Sequence, residues 1–184
     1  SFGHMYRILS TKTCCDLCEL PDSEKIPFSY TYAGDHHTLN VSNPNAVDFI
    51  KGLITEYRAL FTSKKFNICC DETFDLGKGR SKALADEKGE HSLYMAHVVE
   101  LCRWLLSQGV TPMFWGDIMW RHPEAYAEIP EGVICLNWGY LPEQRENEVR
   151  DLAQMGATQY VCPGVCTWNR WLPLTENSYK NNRA

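Results

Sequence analysis

The feature that most constrains the fold is a regular alternation between helical periodicity and short, continuous apolar runs. Apolar residues spaced as on one face of a helix predict helices at 43–61, 95–106 and about 142–155. Runs typical of buried strands lie at 66–70, 110–117, 132–139 and 157–164. Strands that alternate with helices pair in parallel, and continuous apolar runs are typical of strands covered on both faces. The alternation therefore predicts an α/β fold.

Local signals mark the ends of the predicted helices. Asn43 is placed to cap the first helix, with Pro44 at its first position. Gly109 and Gly156 follow the second and third helices and are predicted to end them.

Polar or aromatic residues stand at the carboxyl end of every predicted strand. They are Asp71, Glu72, Trp115, Asp117, Asn137, Trp138, Trp168 and Asn169. Functional residues gathered at these ends are typical of a (β/α)₈ barrel. An open doubly wound sheet places its ligands at the same ends and remains an alternative. A nucleotide site is disfavoured, because no strand is followed by a glycine-rich phosphate loop.

Composition narrows the class of partner. The chain has 184 residues, predicted to form one domain over 1–184, and a net charge of −5 without a block of basic residues. These features argue against nucleic acid and anionic membranes as partners. No apolar run approaches the ~20 residues of a membrane span. No signal-peptide pattern is visible, so the expected location is cytoplasmic.

The nine cysteines lie mostly in apolar runs and are expected to be reduced thiols, as in cytosolic proteins. Cys14, Cys15 and Cys18 would form a closed zinc site only with a distant second pair, Cys162 and Cys166. A cysteine-rich metal-binding domain is thus the least favoured alternative. No metal or cofactor is predicted.

Two adjacent acids, Asp71 and Glu72, end a buried strand. Neighbouring residues on a strand point to opposite faces, so these carboxylates can serve one pocket only where the pleat ends. Mutual repulsion would then raise one pKa, and a glutamic acid that stays protonated near neutral pH is a competent general acid. The alternative is an acidic pair that caps the next turn or binds surface lysines.

The segment FNICCDET resembles the strand-four motif of family 20 glycoside hydrolases, the β-N-acetylhexosaminidases, written His/Asn-Ile-Gly-Gly-Asp-Glu. Cys69 and Cys70 replace its two glycines. FGHM at the start resembles the family's Pro-Gly-His segment at the end of strand three. FWGDIMW and NWG resemble its strand-five and strand-six tryptophan segments. The resemblance extends from residue 2 to about 170. It implies an incomplete (β/α)₈ barrel, from the end of strand 3 to about strand 7.

The resemblance also implies the chemistry. Glu72 would protonate the leaving oxygen while the substrate's own 2-acetamido group attacks, and Asp71 would bind the acetamido N–H. His4 would bridge the acids or bind a sugar hydroxyl. The remaining substrate-binding residues implied are Trp115, Trp138 and Trp168 as pocket walls, and Asp117, Asn137 and Asn169 as hydroxyl ligands. The expected partner is a carbohydrate with a terminal N-acetylhexosamine.

The sequence departs from the family pattern in its extent. A full barrel needs about 250 residues, and the first two strands and the last have no counterpart here. Nothing supplies the family's strand-one arginine, and its strand-seven tyrosine and aspartate are not evident. A non-catalytic carbohydrate-binding barrel fragment is therefore the alternative function. Open sheet edges favour association, so the isolated chain is expected to form a homo-oligomer or to aggregate. Alternatively, a partner supplies the rest of the barrel, without which the chain would be weakly active.

Overall fold

The computed structural model describes residues 2–25, 37–143, 146–164, 172 and 175–183. The chain divides into two compact units, Ser1–Pro112 and Met113–Ala184. The assignment of 1–184 to one domain stays a prediction. Within the described residues, no helix is both long enough and apolar enough to cross a membrane.

The first unit is mainly helical. Its elements are α1 (Tyr6–Leu9), short 3₁₀ turns at Cys15–Leu17 and Ser23–Lys25, α2 (Ala46–Arg58), β1 (Lys65–Asn67), α3 (Lys82–Lys88) and α4 (Glu90–Ser107). Helix α2 confirms the first predicted helix and buries the predicted face through Ala46, Ile50 and Ile54. Helix α4 contains the second predicted helix.

The start of α2 lies later than predicted. Helix α2 begins at Ala46, and the side-chain oxygen of Asn43 accepts a hydrogen bond from the N–H of Asn45 at 2.9 Å. Asn43 therefore closes a turn before the helix rather than capping it. An asparagine side chain that bonds the backbone two residues on is a common turn former, so the sequence signal was genuine but its position was wrong.

The end of α4 matches the prediction at Gly109. This glycine has a φ of +68°, and its N–H donates to the oxygen of Leu106 at 2.9 Å. The N–H of Val110 donates to the oxygen of Leu105 at 3.0 Å. This pair of bonds is a Schellman motif, in which a left-handed residue satisfies the last carbonyls of the helix.

Strand β1 is shorter than the predicted run at 66–70. The side-chain oxygen of Asn67 accepts a hydrogen bond from the N–H of Cys69 at 2.8 Å, which turns the chain out of the strand. Cys69 and Cys70 then take φ values of +62° and +66°. Left-handed residues cannot continue a strand, so the apolar character of the run reflects burial rather than extended backbone.

The second unit is built on parallel strands. Its elements are the greater part of β2 (Thr111–Trp115), α5 (Asp117–Arg121), a 3₁₀ helix at Pro123–Glu128, β3 (Ile134–Gly139), α6 (Glu146–Gln154), β4 (Thr158–Pro163) and α7 (Thr175–Arg183). Phe114 pairs with Cys135 and Asn137 pairs with Val161, both in parallel register. The four strands follow the order β1-β2-β3-β4 in an open sheet, which confirms the predicted α/β architecture.

Helix α6 ends where the sequence predicts, and strand β4 after it carries exposed apolar side chains. Gly156 ends α6 as predicted, with a φ of +82° and an N–H bonded to Ala153 at 3.0 Å. On β4, Tyr160 is 42% exposed and Val161 is 50% exposed. Because neighbouring strand residues point to opposite faces, apolar side chains of β4 are exposed on both faces.

Candidate active site

The two adjacent acids lie on irregular backbone just after β1. Asp71 follows the left-handed pair Cys69 and Cys70, and Glu72 itself has a φ of +48°. The Asp71 and Glu72 side chains are 24% and 36% exposed, so both are partly shielded from water. The pleat that would send neighbouring side chains to opposite faces is broken here, and the two carboxylates can converge.

His4 is the group on which the carboxylates converge. Its Nε2 lies 3.3 Å from Oδ2 of Asp71 and 3.1 Å from Oε2 of Glu72. His4 also has a left-handed backbone, with a φ of +54°. The structure thus brings together His4, Asp71 and Glu72, and of the two contacts expected for His4 it shows the bridge between the acids.

A glycine allows the histidine segment to approach the acids. A Cβ built at Gly3 would lie 2.5 Å from the backbone oxygen of Asp71 and 2.7 Å from that of Glu72. Real Cβ atoms are not found at such distances from backbone, so any larger residue would push His4 away from the carboxylates. The sequence offered one signal for Gly3, its place beside His4 in the FGHM motif, but Gly3 was not predicted as a site residue.

The charges of His4 and Asp71 stabilise one another. The hydrogen bond to Asp71 is the main cause that raises the pKa of His4, against the opposing effect of burial, and the charges of Asp71 and Glu72 add to it. For Asp71, burial alone would raise the pKa, but the hydrogen bond and positive charge of His4 outweigh burial and lower it. Asp71 is therefore an ionised hydrogen-bond acceptor at neutral pH.

A second group of predicted residues lies on β3 in the second unit. Asn137 is 2% exposed, accepts a hydrogen bond from Nε1–H of Trp120 at 3.0 Å, and donates one to Gln159. The ring of Trp138 meets that of Trp120 edge to face, with centroids 5.0 Å apart, and lies 5.1 Å from Tyr140. Trp120 was not singled out from the sequence, although it lies in the FWGDIMW segment.

The other predicted residues divide between described and undescribed parts of the chain. Trp115 ends β2 and Asp117 begins α5, and both are half-buried. Trp168 and Asn169 lie outside the described residues. Their predicted contacts with sugar, like those of Trp115, Asp117, Asn137 and Trp138, stay predictions.

The model of the glycosyl hydrolase family 20 catalytic domain matches residues 3–168. The chain belongs to this family. The match covers the bridged acids and all four strands, and it confirms the resemblance read from the FNICCDET and FGHM segments. Among curated proteins, no match to the chain was found.

Three solved structures illustrate the likeness of this family 20 chain to known proteins. The β-N-acetylhexosaminidase of Bacteroides fragilis shares 14% identity at a TM-score of 0.60, over 79% of this chain and 30% of that one. The exo β-N-acetylglucosaminidase of Vibrio harveyi shares 17% identity at 0.57, over 77% and 24%. The chitobiase of Flavobacterium johnsoniae shares 21% identity at 0.56, over 68% and 19%.

The chain spans between 19% and 30% of the length of these three structures. Their likeness concerns the fold. Together with the family match, it confirms that the open four-stranded parallel sheet is an incomplete (β/α)₈ barrel and excludes the doubly wound alternative.

The family 20 motif explains the unusual backbone before the acids. Cys69 and Cys70 occupy the two positions where the motif is written with glycine, and both have positive φ. Tyr94 donates a hydrogen bond to the backbone oxygen of Cys70 at 2.8 Å, which helps to hold this conformation. Burial raises the pKa of both thiols, and every described cysteine is free.

The bridged group is also where the described chain could hold a metal ion. One nitrogen of His4 and one oxygen from each of Asp71 and Glu72 lie within 4.8 Å of one another. The two separations at His4, 3.1 and 3.3 Å, are those of hydrogen bonds, and the chemistry proposed below uses the three residues without a metal.

Proposed function

We propose that this chain carries the proton donor and the substrate-orienting acid of a glycoside hydrolase that removes terminal β-linked N-acetylhexosamine. Glu72 is the proton donor, Asp71 orients the acetamido group, and His4 holds the two carboxylates together. The observation that supports this proposal is a single histidine nitrogen within 3.3 Å of both acids, in a chain of family 20.

The reaction follows the substrate-assisted route. The oxygen of the substrate's 2-acetamido group attacks the anomeric carbon, and the bond to the leaving oxygen breaks as Glu72 protonates that oxygen. The intermediate is an oxazolinium ion. Water then attacks the anomeric carbon, gives a proton to the Glu72 carboxylate and returns the acetamido group, so the configuration is retained and Glu72 regains its proton.

Asp71 suits the orienting role because its pKa is lowered. An ionised carboxylate accepts a strong, charge-assisted hydrogen bond from the acetamido N–H and stabilises the positive charge that develops on the oxazolinium ring. The hydrogen bond from His4 and its positive charge favour the ionised form of Asp71. The contacts proposed for Trp115, Trp138 and Trp168 with the sugar face, and for Asp117, Asn137 and Asn169 with hydroxyls, rest on the family resemblance.

Replacing Glu72 with glutamine tests the proton donor. Glu72→Gln keeps the shape of the side chain and removes the proton, so hydrolysis of a chromogenic N-acetyl-β-glucosaminide should fall by about 10²- to 10⁴-fold. The matched control is Glu56→Gln, at an exposed position on α2, which should leave the rate unchanged. Equal rates for wild type and Glu72→Gln would exclude Glu72 as the donor.

Replacing Asp71 with asparagine tests acetamido assistance. Asp71→Asn should slow hydrolysis of 2-acetamido substrates by about 10²-fold, because the neutral amide no longer stabilises the ring charge. Any hydrolysis of the plain β-glucoside should change far less. An equal loss on both substrates would contradict substrate assistance. Wild-type chain that binds N-acetylglucosamine without hydrolysing any substrate would instead support the carbohydrate-binding alternative.

A further inference from the structure

We propose that Thr38 and Asp75 form a positioning pair that holds His4 against Asp71 and Glu72. The catalytic consequence of this inference rests on the proposed function, but the geometric claim can be tested without substrate. Neither residue is part of the motif that identified the site. Both act through the backbone segments that carry the bridged acids and the histidine.

The histidine side of the pair is a short segment that flanks His4 from both directions. The N–H of Leu39 donates to the oxygen of Phe2 at 2.9 Å, and the N–H of Met5 donates to the oxygen of His37 at 3.3 Å. Residues 37–39 therefore hold the chain before and after His4. Thr38 lies at the centre of this segment.

The acid side of the pair is the turn that follows Glu72. The N–H of Phe74 donates to the backbone oxygen of Glu72 at 2.9 Å, and Asp75 is the next residue. A displacement of Asp75 therefore moves the turn that carries Glu72.

Two reciprocal hydrogen bonds join the 37–39 segment to the turn that follows Glu72. The N–H of Thr38 donates to Oδ2 of Asp75 at 3.2 Å, and the N–H of Asp75 donates to Oγ1 of Thr38 at 3.3 Å. Thr38 is fully buried and Asp75 is 3% exposed. Buried hydrogen bonds are costly to leave unmade, since water cannot replace the lost partner, so the pair resists separation of the two segments.

The backbone at the site needs such support. His4 and Glu72 have φ values of +54° and +48°, which non-glycine residues keep only where the surrounding structure holds them. The oxygen of Thr38 also accepts a hydrogen bond from the N–H of Glu19 at 2.8 Å, which fixes Thr38 from a third direction. The pair is thus built to determine where His4 lies relative to the acids.

Thr38→Val and Thr38→Ser test the pair. Valine matches the shape of threonine but lacks the hydroxyl that Asp75 needs, whereas serine keeps the hydroxyl and loses a methyl group. Thr38→Val should lower kcat on the chromogenic substrate by about 10-fold or more, with KM within about twofold of wild type. Thr38→Ser should restore kcat to within about twofold of wild type.

The readout without substrate is the ring-nitrogen NMR signal of His4, assigned by its loss in His4→Gln. In Thr38→Val this signal should move toward that of a histidine without its carboxylate partners, and in Thr38→Ser it should stay at the wild-type position. The matched control is Ile50→Val, at a fully buried position on α2, which removes one methyl group and should change neither the signal nor kcat.

An unchanged His4 signal in Thr38→Val, or equal changes in Thr38→Val and Thr38→Ser, would overturn the inference. If Thr38→Val does not fold, Asp75→Asn replaces it, because a neutral amide is a weaker acceptor than a carboxylate. The His4 signal should then move in the same direction, and a wild-type signal would overturn the inference. An inactive wild type whose His4 signal responds to Thr38→Val would refute the proposed function alone.

Discussion

The ends of β1 and β3 both carry predicted site residues, yet their backbones differ. β1 stops at Asn67, and Cys69, Cys70 and Glu72 follow it with positive φ. β3 continues regularly to Gly139 and pairs with β4 along its whole length, and its predicted residues Asn137 and Trp138 lie inside the strand. The acids of the proposed reaction lie on strained backbone, whereas the predicted sugar contacts of β3 lie on a regular strand.

The difference follows from how many neighbouring side chains must converge. A strand directs adjacent residues to opposite faces, so Asp71 and Glu72 could not both reach His4 from a regular β1. A single side chain such as that of Asn137 can be aimed correctly without leaving the strand. Irregular backbone is therefore expected where two neighbouring groups share one partner.

The largest effect that would sharpen this comparison is expected at β3. Cys135 is fully buried in a regular strand, and Cys135→Gly would remove its packing and add backbone freedom to the unfolded chain. The free energy of unfolding should fall by about 2–3 kcal/mol. Urea denaturation measures this loss of stability, which should appear as a lower midpoint at an unchanged m-value.

The same substitution after β1 should act in the opposite direction. Cys69 is half-buried with a φ of +62°, so Cys69→Gly relieves a left-handed conformation that costs a non-glycine residue about 1–2 kcal/mol. The lost contacts and the greater freedom of the unfolded chain oppose this gain. The free energy of unfolding should therefore rise by about 0.5 kcal/mol. Destabilisation as large as that of Cys135→Gly would remove the proposed distinction between the two strand ends.

The pH dependence of the His4 bridge should be an effect no larger than the gain at Cys69. The lowered pKa of Asp71 contributes stability above its ordinary value of about 3.8, and this is lost as pH falls through the folded pKa. The raised pKa of His4 contributes stability below about 6.5, and this is lost as pH rises through the folded pKa. The free energy of unfolding of wild type should exceed that of His4→Gln by the largest amount between about pH 4 and 6.5.

The size of that difference should be about 0.5 kcal/mol and should shrink in high salt, because the His4 side chain is 40% exposed. Unfolding curves at pH 3, 5.5 and 9 would measure it. His122→Gln is the matched control, since His122 lies 3.3 Å from Glu124 in an exposed pair and should contribute less. A stability difference that grew steadily with pH would show that the bridge is not the cause.

The sequence predicted the long elements well because burial imposes a clear period on them. Helix α2 shows apolar residues at helical spacing, and Gly109 and Gly156 mark helix ends that only a left-handed residue can close. The short helices α3, α5 and α7 were not predicted. Their turns bury few apolar side chains, so neighbouring structure rather than an internal period determines them.

The candidate site was predictable in its residues but not in its geometry. The FNICCDET and FGHM segments identified Asp71, Glu72 and His4, and one of the two contacts expected for His4 was a bridge between the acids. The early end of β1 was not predicted, because an apolar run does not distinguish a strand from buried irregular backbone. The pairing of Thr38 with Asp75 was not predicted either, because it joins residues 37 positions apart in the sequence.

The buried thiols have a practical consequence for the chemistry of this cysteine-rich chain. Thiolate, rather than thiol, reacts with oxidants and alkylating reagents. Burial raises the pKa of Cys102 and Cys135 to about 12, and burial also raises the pKa of Cys70. Peroxide or iodoacetamide should therefore spare these three positions while the chain is folded. The rate at which these three thiols become labelled would then report how often the core opens, without any engineered label site.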